Sequence, residues 1–140
     1  AADWTAGMPQ AVFAGFCRQV MEDDAAAMQQ FVRLNAGRRP QRATSNWLVQ
    51  AIDPAMTEER KTGLQVLQQT DLRQRLAEVR QATLLLHAAD DRIITLAAAR
   101  WLAAHMPESR LLEFAGGGHA FFIEQAQAVA DAIRGGLPDA

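Results

Sequence analysis

At 140 residues and 15.3 kDa, with 49% hydrophobic and 21% charged side chains, the chain has the size of one globular domain and is too apolar for a disordered tail. Thirteen Arg and one Lys are outweighed by 16 acidic side chains, giving a net charge of −2 and a pI near 5.9. With no apolar run near the ~20 residues that span a bilayer, a cytoplasmic protein with neither nucleic-acid nor membrane partners is expected. A single Cys17 and three scattered histidines exclude an internal disulfide and a Cys/His zinc framework, so neither metal nor cofactor is implied.

The first 80 residues read as helices. Phe13, Phe16, Cys17 and Val20 recur at i, i+3, i+4 and i+7, which paints one apolar stripe on a helix over about 10–22. Cys17 on that stripe is read as a small core hydrophobe. Met28, Phe31 and Val32 repeat the pattern on a second helix, closed by Gly37 before the basic turn 38–42. Ser45 is expected to cap a short third helix carrying Trp47, Leu48, Ala51 and Ile52, which Asp53-Pro54 ends because the residue before proline avoids the α region. Thr57, Glu58 and Glu59 open a fourth helix with Leu64 and Leu67, their carboxylates lying on the positive end of its dipole. A turn with Asp71, Leu72, Leu76 and Val79 follows.

After residue 80 the pattern changes. Residues 83–87, Thr-Leu-Leu-Leu-His, form a continuous apolar run of strand length, as in a strand buried on both faces of a parallel sheet. Thr95 then begins a helix with Leu96, Ala99, Ala103 and Met106 on one face, stopped by Pro107. Residues 110–114 give a second strand. A glycine-rich loop, Gly116-Gly117-Gly118-His119, leads to a last helix with Ala126, Val129, Ala130 and Ile133, ending at Gly135-Gly136. Strand, helix, strand, helix implies a parallel pair joined by a right-handed crossover. Two such strands leave two open edges and faces that two helices cannot cover, so the sheet is expected to be incomplete. The absence of an initiator Met and the abrupt helical opening fit a fragment.

Asp90 and Asp91 follow the first strand and His119 follows the second. Neighbouring parallel strands end on the same edge, where open α/β sheets collect their catalytic groups, so a carboxylate and an imidazole can meet there. An acid followed by a His is the tail of the order Ser…Asp…His.

These stretches resemble a known family. Residues 63–67 and 70–73, then 84–94 (Leu-Leu-Leu-His-Ala-Ala-Asp-Asp-Arg-Ile-Ile), then 117–123 (Gly-Gly-His-Ala-Phe-Phe-Ile) are similar to the C-terminal half of the α/β-hydrolase superfamily. Within it the likeness is greatest to the pimeloyl-acyl-carrier-protein methyl ester carboxylesterases of biotin synthesis. Val12-Phe13-Ala14-Gly15-Phe16, Asp23-Asp24 and Phe31 resemble the start of that family's helical lid. The resemblance implies a lid over 1–80, a C-terminal α/β segment over 81–140, Asp91 as triad acid and His119 as triad base, with Asp90 on a variable position. Ala88 stands where the family usually has glycine and Phe121 where proline is common, so altered loop geometry is expected at both. The Gly-x-Ser-x-Gly elbow is absent and the serines are Ser45 and Ser109, so the nucleophile and oxyanion hole are assigned to an N-terminal half outside this chain, and the chain alone is expected to be inactive.

Arg33, Arg38, Arg39 and Arg42 read most simply as a solvated turn; the resemblance makes them candidates for holding an acidic acyl carrier protein, although Ala26 and Gln30 stand where further lid arginines would be expected. Trp4, Trp47, Phe13 and Phe16 read first as core and second as the lining of an acyl channel. His87 and His105 read as packing or surface residues. Two alternatives stay open: another α/β-hydrolase activity (C–C bond hydrolase, lactonase or perhydrolase), and a noncatalytic helical interaction module with a decayed hydrolase tail.

Overall fold

The computed structural model describes residues 4–38 and 40–136. Helix α1 (Gln10–Glu22) begins just after Pro9, and α2 (Asp24–Asn35) follows with one residue between them. Asp23 serves both. Its N–H closes α1 on the Gln19 carbonyl at 2.7 Å, and its side chain accepts from Ala26 N–H at 3.0 Å to open α2. The expected stripe is the core: Val20, Ala27 and Met28 are buried, with Phe16, Phe31, Ile52 and Leu64 packed against them. Cys17 lies inside at 5% exposure, and burial pushes its thiol pKa up.

Helix α3 (Arg42–Gln50) starts three residues before the expected Ser45 cap. Its first turn is capped instead by Glu124, from the far end of the chain: Oε1 accepts from Gln41 N–H at 2.8 Å and from the buried Thr44 hydroxyl at 2.7 Å. A carboxylate is favourable at the positive end of a helix, and this one accepts from the Gln41 N–H, upstream of Ser45, where the helix begins. A 3₁₀ turn over Pro54–Met56, with Asp53 accepting from Ala55 N–H, leads into α4 (Thr57–Gln69). Arg60 on α4 clamps Asp24 through Nε (2.9 Å) and Nη2, while its Nη1 donates to the Asp53 carbonyl at 2.8 Å. This paired guanidinium, first among the causes, lowers the Asp24 pKa. Leu67 turns outward at 65% exposure, so only Leu64 of the expected pair joins the core.

After a 3₁₀ turn over Arg73–Glu78, β1 (Thr83–Ala88) and β2 (Ser109–Phe114) pair in parallel, in register from Thr83 opposite Ser109 to Ala88 opposite Phe114. Between them α5 (Leu96–His105) is capped by Thr95, whose Oγ1 accepts from Ala98 N–H at 3.1 Å, and packs on both strands. Its buried residues are Ala98 and Ala99. The last expected helix is broken in two: α6 (Phe121–Glu124) carries buried Phe121 against Phe114, ring centroids 4.8 Å apart, and α7 (Ala126–Gly136) follows against β1. Among the described residues no helix is long and apolar enough to cross a membrane.

The sheet has two strands among the described residues, and the leucines of β1 are only half-buried. The chain exposes 9361 Å², against about 7,100 Å² for a compact folded monomer of this mass. Open strand edges and an excess of that size should cause association. In sedimentation velocity the isolated chain should form oligomers and in solution should bind an apolar dye; a dye-silent monomer at tens of micromolar would contradict the open-sheet description.

Candidate active site

The parallel register puts both loops at the carboxyl edge of the sheet, and there Asp91 and His119 meet. His119 Nδ1–H donates to Asp91 Oδ2 at 2.7 Å. The carboxylate side chain is 3% exposed, and its other oxygen accepts from the backbone N–H groups of Ile93 (2.8 Å) and Ile94 (3.0 Å). Residues 91–94 thus fold around their own acid, giving the buried charge the donors it requires. His119 Nε2 has no hydrogen-bond partner among the described residues, and the ring is 41% exposed.

Burial alone would raise the Asp91 pKa; the hydrogen bonds from His119, Ile93 and Ile94 outweigh it and hold the carboxyl below its ordinary range. The same carboxylate raises the His119 pKa above 6.5 against the opposing effect of burial. The pair stabilises the fold most in a mildly acidic window. Its His119 part is complete below pH 6.5 and is lost as pH rises through the raised folded value; its Asp91 part is present above 3.8 and is lost as pH falls through the lowered one.

Three neighbours hold the two loops in place. Asp90 Oδ1 accepts from Gly118 N–H at 2.8 Å, tying the acid loop to the histidine loop. His87 Nε2 lies 3.1 Å from the Ile94 carbonyl and 3.7 Å from Asp91 Oδ2, on the side of the acid away from its N–H donors. The Asn35 carbonyl at the end of α2 accepts from Ala120 N–H at 3.0 Å. There the backbones nearly touch: Gly118 has φ +67°, and a Cβ on it would lie 2.6 Å from Gly37 Cα and 2.7 Å from the Asn35 carbonyl oxygen. Glycine is required at 118 both for the left-handed backbone and for this approach.

Of the sequence candidates, Asp91 and His119 come together and Asp90 serves the adjacent contact. Arg33, Arg38 and Arg42 are exposed, and Arg39 lies outside the described residues. The four aromatic residues are dispersed: Phe16 packs on Phe31, Trp4 meets Trp101 edge-on, Trp47 is half exposed, and Phe13 is partly buried. An apolar groove of about 350 Å³ is lined instead by Met28, Phe31, Ala51, Ile52 and Met56. His105 stacks on Trp101, as a packing residue should. His87, read the same way, in fact touches the acid loop. Ala88 ends β1 with no positive φ, so it takes the glycine position without backbone strain, and Phe121 fills a buried site. Among the described residues no three His, Cys, Asp or Glu side chains are grouped as a metal site would require.

Histidine C2 hydrogen–deuterium exchange, read by mass spectrometry on the isolated chain in any association state, should give His119 a midpoint above 6.5. In Asp91→Asn the midpoint should fall to 6.5 or lower, because only burial remains; an unchanged midpoint would refute the charge contact. Gly118→Ala should lower Tm by several degrees through strain and overlap together.

Residues 2–126 match the family described as alpha/beta hydrolase fold. The chain is 36% identical to the pimeloyl-[acyl-carrier protein] methyl ester esterase of Aromatoleum aromaticum over 143 residues, covering 96% of this chain and 57% of the relative. It is 33% identical to the protein of that name from Nitrosomonas europaea, covering 87% of this chain and 50% of the relative. It therefore spans about half the length of these curated relatives. Among solved structures, a hydrolase from Oleispira antarctica superposes with TM-score 0.80 at 16% identity over 95% of this chain and 49% of that one. An esterase from Exiguobacterium antarcticum superposes with TM-score 0.78 at 17% identity, covering 91% and 48%. With the strand pair, the loop geometry and the family match in agreement, the chain belongs to the α/β-hydrolase fold family.

Proposed function

We propose that this chain carries the lid and the acid–base portion of a serine carboxylesterase acting on a carrier-protein-linked acyl methyl ester, with residues 1–80 as lid and 81–140 as the catalytic C-terminal segment. One observation carries the reading: a buried carboxylate orients the Nδ1–H of an imidazole whose Nε2, at the carboxyl edge of a parallel sheet, has no partner among the described residues. The relatives' names supply the substrate class. Arg33, Arg38 and Arg42, exposed and without an ion-pair partner among the described residues, fit an acidic carrier surface.

The nucleophile belongs to a part of the protein outside residues 1–140. Ser45 lies within α3, and Ser109 begins β2, at the end of that strand away from His119, with its hydroxyl 2.9 Å from the Ala103 carbonyl. A serine hydroxyl brought to Nε2 gives its proton to His119 as its oxygen bonds the ester carbonyl carbon, and Asp91 stabilises the resulting imidazolium. The carbon–methoxy bond then breaks and His119 returns the proton to the departing methanol. Water next gives a proton to His119 and attacks the acyl-serine, releasing the acid and restoring the hydroxyl. This chemistry requires no cofactor.

Joined to the N-terminal half encoded upstream, or to that of the Aromatoleum aromaticum relative, the chain should cleave p-nitrophenyl butyrate; alone it should not. In the joined enzyme His119→Ala should abolish turnover and Asp91→Asn should lower kcat by about 10⁴. Asp90→Asn should cost far less, because asparagine keeps an oxygen for Gly118 N–H. Turnover by the isolated 140-residue chain would refute the placement of the serine elsewhere.

A further inference from the structure

We propose that Glu124 is a positioning residue for His119, gripping the start of α3 and so fixing the loop that carries the imidazole. The inference rests on the proposed role of His119 as base only for its effect on turnover; the geometric part stands separately. Glu124 ends α6, the short helix that begins two residues after His119. Its Oε1 accepts from two donors at the α3 start, Gln41 N–H at 2.8 Å and Thr44 Oγ at 2.7 Å, and Thr44 is 2% exposed. Nearer the imidazole the same loop is pinned after His119 by Ala120 N–H on the Asn35 carbonyl, and before it by the contact of Gly118 with Gly37. Attachments to the helical half thus flank the imidazole at Gly118 and Ala120, against the end of α2, and fix the far end of α6 at Glu124, against the start of α3. The contacts of His119 within the sheet half come from Asp91 and, through Gly118, from Asp90. Phe121 on Phe114 holds the first turn of α6 to the sheet and Glu124 holds its far end to α3; without the Glu124 contact that far end is free to turn about Phe121 and to shift the loop before it, where Gly117 and Gly118 have positive φ. An imidazole displaced by about 1 Å loses on the order of a hundredfold in rate while substrate binding is untouched.

The test uses Glu124→Ala, Glu124→Gln and Thr44→Val. Valine removes one of the two hydrogen bonds at constant shape, and glutamine retains an acceptor oxygen. In the isolated chain, histidine C2 exchange should show the His119 midpoint moving down toward 6.5 in Glu124→Ala and, by a smaller step, in Thr44→Val, with Glu124→Gln near the parent. In the joined enzyme, kcat for a free p-nitrophenyl ester should fall at least tenfold in Glu124→Ala with KM unchanged, and glutamine should restore most of it. If Glu124→Ala loses its helical circular dichroism, the variant has unfolded and Thr44→Val decides, a shift of His119 with the helical signal retained supporting the proposal and none overturning it. A lowered Tm with the His119 midpoint unmoved in both variants makes the contact purely structural and overturns the proposal. Full turnover in His119→Ala would instead refute the base assignment, which the exchange result does not need.

Discussion

A carboxylate taken almost wholly out of water must be given donors or be neutralised, and the region around residues 87–119 is organised by how Asp91 meets that demand. Two donors come from its own turn, through Ile93 and Ile94, and the third is His119. The turn can wrap the acid because Ala88 ends β1 buried beneath it, and the histidine can reach because β2 runs in register beside β1. The imidazole inherits its orientation from this arrangement. With Nδ1 committed to the acid, the other ring nitrogen is the one left facing outward.

The helical half and the sheet half are joined at the same place. The ends of α2 and α3 meet the loop that follows β2 through a backbone hydrogen bond, a glycine-on-glycine approach and a carboxylate cap. None of these is hydrophobic. The apolar core of the helical half, centred on Val20, Ala27 and Met28, is complete without them, and a separate aromatic contact, Trp4 on Trp101, joins the halves elsewhere.

What was legible in the sequence follows from the range of each interaction. The stripe on α1, the stop at Gly37, the Thr95 cap and the two strands depend on neighbours within a turn or two, and periodicity and capping rules found them. The meeting of Asp91 and His119 was legible because topology alone brings the ends of parallel neighbours together. Ser45 was misjudged because the true cap of α3, Glu124, lies eighty residues away and no local pattern encodes it. Leu67 was misjudged because apolarity does not say which face of α4 finds a partner. Asp90 and His87 were undervalued for a related reason: a hydrogen bond to one glycine N–H, or to one loop carbonyl, leaves no trace in composition or spacing.

The acid, both of its backbone donors, the histidine and the Asp90 brace all fall within residues 87–119, a single strand–helix–strand passage. Such a passage behaves as a cassette. A crossover between genes anywhere upstream of β1 would carry the Asp91–His119 pair across intact while exchanging the helical segment. The constraint on such a recombinant is specific: the incoming helical segment must present a carbonyl and a glycine to the turn at Gly118, and an N–H and a hydroxyl to Glu124.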